Sequence, residues 1–231
     1  MQPFNNVLVS GSSFFSSTSS SASGLLFPAF KYFPSIPVVP EAAETETETG
    51  TGTGTGTGTD LSTYIRAFLL PEKLHSMQEA ALPEPKRADL TRVPSLAANF
   101  PCKDIHHSPV ILICGHGGRD LRCGIMAPVL EMEFVRVLQE RGISVNTGGE
   151  VVDRANHAHV GLISHVGGHK YAGNVIIYLP PGMQNPLAGM GVWYGRIEPR
   201  HVEGIVSETL GGRVVKDHFR GGIKQGEILR L

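Results

Sequence analysis

Two cysteines and two histidines fall at Cys114-x8-Cys123 and His165-x3-His169. Both stretches are rich in glycine: Cys-Gly-His-Gly-Gly-Arg-Asp-Leu-Arg-Cys over 114–123 and His-Val-Gly-Gly-His over 165–169. Two thiolates and two imidazoles complete a four-ligand set for a metal centre. Such a set suits tetrahedral zinc, or an iron–sulfur cluster with histidines on one iron. Three further histidines compete for the same role: His116 inside the cysteine loop, and His157 and His159 ahead of the histidine pair. Cys102 is the spare thiol. It precedes the first strand of this region and is expected to be partly buried and to ligate nothing.

These residues need elements to hold them. Val110-Ile-Leu-Ile-Cys114 is a short, β-branched apolar run, as in a buried strand, so Cys114 ends a strand. Leu130, Phe134, Val137, Leu138 and Arg141 recur at helical spacing and Gly142 follows as a stop, which places Cys123 just before a helix. A helix N-terminus carries partial positive charge, and with Arg119 and Arg122 it predicts thiolate rather than thiol. Gly115, Gly117 and Gly118 permit a tight turn and predict N–H groups close enough to donate to sulfur. Gly167-Gly168 between the histidines predicts a tight loop rather than a helix. Asn174–Leu179 reads as a second buried strand and Val192–Gly195 as a third. Pro199 opens a helix with Val202, Ile205, Val206 and Leu210 on one face, and Arg213–Val215 reads as a last strand. This order argues a small α/β domain over 105–231, with the cysteines on a strand-to-helix loop.

Upstream the composition changes. Residues 1–60 are low in complexity, with a serine tract over Ser12–Ser23 and a Thr-Glu repeat passing into Thr-Gly over Glu44–Thr59. Such tracts bury too little apolar surface to offset ordering entropy, and most of the segment is expected to be disordered. Leu25–Pro37 is too aromatic for a plain linker and is expected to pack against something. Residues 61–104 read as a partly ordered linker with a short helix over Leu61–Leu70, ended by Pro71.

The 231-residue chain has a formal net charge of −1, which predicts no general attraction to nucleic acid or to an anionic membrane. No apolar run approaches the roughly 18–20 residues that span a bilayer. Three cysteines do not make a secreted disulfide framework; beside histidines they read as metal ligands or redox groups.

The wording of the motifs resembles the sucrase/ferredoxin-like family, whose signature is Cys-x8-Cys followed by His-x-Gly-Gly-His. Cys-Gly-His-Gly-Gly-Arg-Asp at 114–120, Ser-His-Val-Gly-Gly-His-Lys at 164–170, Ala-Gly-Asn-Val-Ile-Ile-Tyr at 172–178 and Trp-Tyr-Gly-Arg at 193–196 carry the likeness. Leu25–Pro37 and Ala67–His75 are similar to the family's middle region, and Asn5–Phe14 looks like interior sequence. The resemblance implies a thioredoxin-like ferredoxin domain with a [2Fe–2S] cluster, held by Cys114 and Cys123 on one iron and His165 and His169 on the other. It also implies that a more N-terminal part of the family, including the targeting sequence of mitochondrial members, is missing here.

On that footing the expected activity is one-electron transfer, mitochondrial by resemblance, with a protein donor and acceptor as partners. An electron carrier is expected more than an enzyme with its own substrate. Histidine-ligated clusters of the Rieske kind lie at about −150 to +300 mV, against about −400 mV for plant-type ferredoxins. Lys170 and Arg196 are candidates for steering an acidic partner, and Trp193 and Tyr194 for an electron exit. Two rivals stand beside this reading. A structural Cys2His2 zinc site normally uses closer cysteine pairs. A thioredoxin-like thiol–disulfide oxidoreductase normally has two residues between its cysteines.

Overall fold

The computed structural model describes residues 7–16, 21–37, 60–118, 120–164, 166–224 and 227–229. The Thr-Glu/Thr-Gly repeat, part of the serine tract, Arg119 and His165 lie outside the described residues. In chain order the elements are β1 (Ala22–Leu26), β2 (Lys31–Ile36), α1 (Leu61–Tyr64), α2 (Ser76–Ala81), α3 (Glu84–Asp89), β3 (Lys103–Asp104), β4 (Val110–Cys114) and α4 (Leu121–Glu140). They continue with β5 (Ser144–Asn146), β6 (His157–Ile163), β7 (Val175–Leu179), β8 (Met190–Tyr194), α5 (Pro199–Leu210), β9 (Phe219–Lys224) and β10 (Glu227–Leu229). Among the described residues no helix is long and apolar enough to cross a membrane.

The chain divides into two units. In the unit that contains Phe33–Cys102, Asp60 caps α1 by accepting from the Thr63 amide at 2.7 Å. Past α1 the turns widen, with the Leu70 amide reaching the Ile65 carbonyl, before Pro71 stops them. Phe33, Tyr64, Phe68 and Phe100 pack there as an aromatic cluster, Phe33 meeting Tyr64 edge-on at 5.2 Å. Cys102 ends this unit and is exposed, as is Pro101 before it, against the expectation of partial burial.

The other unit, which contains residues 103–231, is α/β. Its sheet has seven strands in the order β10-β9-β8-β7-β4-β6-β5. Central β4 runs parallel to β6 and antiparallel to β7, with Cys114 opposite Ile163 and Val110 opposite His159. Side chains alternate between the two faces of a strand. Ile111, Ile113, Val175, Ile177 and Val192 therefore share one face, under α4 and α5, with Leu130, Phe134, Val202 and Ile205 of those helices. Leu112, Cys114, Ile163, Ile176 and Trp193 share the other.

Helix α4 begins at Leu121, capped by Asp120, so Cys123 lies in its first turn rather than ahead of it. The helix ends as expected: Gly142 at φ +74° lets its own amide reach the Gln139 carbonyl and that of Ile143 reach Leu138. The expected strand at Arg213–Val215 is absent, because the Arg213 amide closes α5 on the Glu208 carbonyl at 2.8 Å; the strands that follow α5 are β9 and β10 instead. Part of the aromatic N-terminal segment does pack, as expected. Within this unit Phe27 stacks on Tyr178 at 3.6 Å between centroids, and Phe30 meets the same ring edge-on.

Candidate metal centre

Cys114 is fixed by its backbone. Its amide donates to the Asn174 carbonyl at 3.0 Å, and the next amide, of Gly115, donates to Ile163 at 2.9 Å. The residue therefore stands at the carboxyl end of β4, bonded to both neighbouring strands. Cys123 comes from the first turn of α4, and its thiol lies within hydrogen-bond reach of Cys114. Eight intervening residues thus bring two free thiols together in a pocket where they are 2% and 3% exposed. Ile163, Val166 and Ile176 complete that buried cluster, with Trp193 packed against it.

The loop packs closely, and the amides of Gly115 and Gly117 are committed to carbonyls. The Gly117 amide donates to the Gly115 carbonyl at 2.8 Å, so neither it nor Gly115 offers its N–H to sulfur. A Cβ on Gly124 would lie 2.7 Å from the Gly117 Cα. Glycine at both positions lets the loop rest directly on the first helical turn.

The electrostatics differ from the sequence expectation. Burial pushes the Cys123 thiol up to about 11, and the neighbouring Cys114 and Asp120 add to that shift against Arg122. Arg122 is not free to act on sulfur alone, since its guanidinium binds Asp120 at 2.8 and 3.1 Å. Without a metal Cys123 is therefore held as a thiol. A cation that binds it must displace that proton.

The histidine loop starts beside the cysteine loop. Because β4 and β6 are parallel and Cys114 is opposite Ile163, both loops leave the same end of the sheet from adjacent strands, about 4.8 Å apart. Ser164, at the start of the histidine loop, is pinned by N-terminal residues of this unit: its amide donates to the Gly11 carbonyl at 2.9 Å, and its hydroxyl accepts from the Gly11 amide at 3.1 Å. His165 lies outside the described residues, as does the side chain of His169, whose backbone opens a short 3-10 turn over His169–Tyr171. Among the described residues no three His, Cys, Asp or Glu side chains converge as a metal site.

Two rival ligands are separated from the cysteines. His159 pairs with Val110, four residues along β4 from Cys114, or about 13 Å at the rise of a strand. Its Nε2 donates to the Val152 carbonyl at 2.7 Å. His157 lies still further along the strand. His116 remains in the cysteine loop.

Asn174 was not foreseen as part of the site. It is 2% exposed, its carbonyl receives the Cys114 amide, and its side-chain Nδ2 donates to the Gly168 carbonyl at 3.4 Å. It therefore ties the histidine loop to the cysteine strand. The signal for it was an asparagine opening an otherwise apolar strand. Trp193 and Tyr194 part company across the sheet: Tyr194 is buried under α5, bonded to Thr209 at 2.7 Å, while Trp193 faces the cysteines. Trp193 also lines a cleft of about 160 Å³ with Gly167, Gly168, Tyr171, Asn174 and Arg220.

The sucrase/ferredoxin-like family profile matches residues 1–221. The chain belongs to that family. Altered inheritance of mitochondria protein 32 from Meyerozyma guilliermondii is 37% identical over 163 residues, which is 70% of this chain and 50% of the relative. The protein of the same name from Clavispora lusitaniae is 44% identical over 50% of this chain and 35% of its own length. Actin patches distal protein 1 from Saccharomyces cerevisiae is 40% identical over 43% of this chain and 29% of its own length. The matched part of the chain thus spans half or less of these family members. Among solved structures, the thioredoxin-like [2Fe–2S] ferredoxin from Aquifex aeolicus is similar at a TM-score of 0.33 and 17% identity, over 49% of this chain and 96% of that one.

Proposed function

We propose that this chain is a one-electron carrier holding a [2Fe–2S] cluster through Cys114 and Cys123 on one iron and His165 and His169 on the other. The observation that carries the reading is the meeting of two buried thiols at the end of β4, with the histidine loop leaving parallel β6 beside them. The described half of the donor set fits the group: two sulfurs, close together, shielded from water by Ile163, Val166 and Ile176. When bound, such a cluster takes up and releases single electrons at a potential set by its ligands. The chain's part is to exclude water with that apolar cluster, to hold both loops in register through Asn174 and Ser164, and to present Trp193 between the thiols and the surface.

The burial that favours a cluster disfavours thiol–disulfide exchange. An exchanging thiol must be exposed and largely ionised, and Cys123 is neither. The relatives' names point to mitochondria, and the same compartment is proposed for this chain; fractionation of a tagged full chain tests it.

Protein purified without oxygen decides the metal. Red-brown material with about two irons and two sulfides per chain, and an EPR signal on reduction, is expected. Stoichiometric zinc in a colourless protein would overturn the cluster and leave a structural zinc site.

A further inference from the structure

Eight of the chain's twenty lysines and arginines are paired with carboxylates among the described residues. Lys31, Arg87, Arg92, Lys103, Arg122, Arg136, Arg200 and Arg213 each have an acidic partner within 4 Å. Lys170, Arg196 and Arg220 are not among them, and they are distinguished by gathering in one place. All three are exposed, and none has a carboxylate partner among the described residues. They converge instead on one ring: the Tyr171 centroid lies 5.0 Å from Lys170 Nζ, 5.2 Å from Arg196 Cζ and 3.5 Å from Arg220 Cζ. The ring face offsets part of their mutual repulsion, and no acidic side chain among the described residues completes the compensation.

The arrangement is built by three separate segments. Lys170 comes from the histidine loop. Arg196 follows β8 at φ +59°, a left-handed backbone that arginine adopts at a cost, held by its amide donating to the Tyr171 carbonyl at 3.3 Å. Arg220 lies in β9, and Gly195 makes room for it, since a Cβ there would sit 3.1 Å from the Arg220 Cγ. Arg220 and Tyr171, the ring on which all three cations converge, line the cleft whose wall includes Trp193, a residue packed against the buried cluster that holds both cysteines.

We infer that this patch is the docking face for an electron-transfer partner, and that the partner presents a carboxylate-rich protein surface to it. The inference rests on the one-electron reading above. Charge complementarity specifies the partner: three uncompensated positive charges sit on a chain whose net charge is −1, so attraction is local, not a general affinity for polyanions. Arginine, tyrosine and tryptophan around a shallow cleft are also the residues that dominate protein interfaces. In such an encounter the donor loses one electron and the centre behind Trp193 gains it.

The sole tryptophan of the chain lines this cleft, which makes its fluorescence a direct reporter. Decaglutamate titrated into the intact protein is expected to shift Trp193 emission saturably. Arg220→Glu is expected to weaken that binding about tenfold, and raising salt towards 0.5 M to abolish it, as for exposed charge steering. Lys86→Glu on α3, which changes net charge equally, is expected to leave it within about twofold. Circular dichroism confirms that each variant folds. With coloured protein, stopped-flow reduction by a reduced plant-type ferredoxin, an acidic one-electron donor, is expected to slow in step with the loss of decaglutamate binding. An absent Trp193 response, equal weakening by Lys86→Glu, or a reduction rate indifferent to Arg220→Glu would each overturn the inference. So would tighter binding of oligothymidylate than of decaglutamate, which would mark a nucleic-acid surface. Failure of the underlying reading looks different: the protein is colourless and no reduction occurs, whatever Trp193 reports, and the patch then has no electron-transfer role.

Discussion

In β4, Ile111 and Ile113 turn towards the helices, whereas Leu112 and Cys114 turn towards Ile176 and Trp193 on the opposite face. The helix-side face is a continuous aliphatic layer closed by α4 and α5. The cysteine-side face is a patchwork: two thiols and a tryptophan at one end, the stacked Phe27–Tyr178 pair further along, and buried His159 beyond. Packing on the first face supplies stability. The proposed donors lie on the second face and are held in place by the first. A shift of one residue in the register of β4 would exchange the two sets, which is why Cys114 is so firmly bonded on both sides.

The largest effect is therefore expected on the helix side. Phe134 is fully buried in α4, and Phe134→Ala should cost about 3–5 kcal/mol of unfolding free energy in urea titration. If the helix side only supports, metal content per folded chain should stay unchanged in that variant. A smaller loss of stability with a larger loss of metal is expected at Gly124. Alanine is the better helix former by about 1 kcal/mol. Its Cβ would nevertheless lie 2.7 Å from the Gly117 backbone, which cannot rotate away as a side chain could. Gly124→Ala should cost about 1–3 kcal/mol, as overpacking does, and lower bound metal per chain by moving the loop off the helix. Unchanged stability together with full metal loading would show that the close glycine contact does not set the site.

The same contrast explains what was legible in the sequence. The aliphatic layer repeats with helical or strand period, so β4, β7, α5 and the buried face of α4 could be read directly. The cysteine side carries its information in exceptions. Strand β6 begins with His157 and contains Gly161, so its apolar run is broken; Gly161 is there because a Cβ would meet the Phe14 ring. The first turns of α4 contain Gly124 and Pro128, poor helix formers that hid its start. The cysteine pairing followed from residue type and spacing. The raised thiol of Cys123 did not, because burial is a tertiary property that outweighs a helix terminus and an arginine already bound to Asp120. The roles of Asn174 and Arg220 could not be read either, since they arise only when β7 and β9 are placed in the sheet.

The smallest expected effect tests the far end of the cysteine-side face. His159 is fully buried, its Nε2 donates to the Val152 carbonyl, and its Nδ1 is buried with no hydrogen-bond partner among the described residues. A second proton would have to sit on that nitrogen, against the edge of Phe14 and beside His157. Burial lowers the affinity of His159 for that proton and His157 lowers it further, while the Val152 bond and Asp153 oppose. The folded state thus binds fewer protons than the unfolded chain. The stability this provides is fully present above the ordinary histidine value of about 6.5 and is lost as pH falls below it towards the folded-state value. His157 and His201 shift in the same direction, so wild-type stability should fall between about pH 7 and 5 through all three. Asp153 acts in a separate, more acidic window: burial raises its affinity for a proton, but amides from His106, His107 and Ser108 outweigh that and hold the carboxyl below its usual range. Comparing thermal unfolding of wild type and His159→Gln across pH 5–8 isolates the His159 share. A flatter profile in the variant is expected. Parallel profiles would show that the buried imidazole is already protonated in the fold, or that water reaches it.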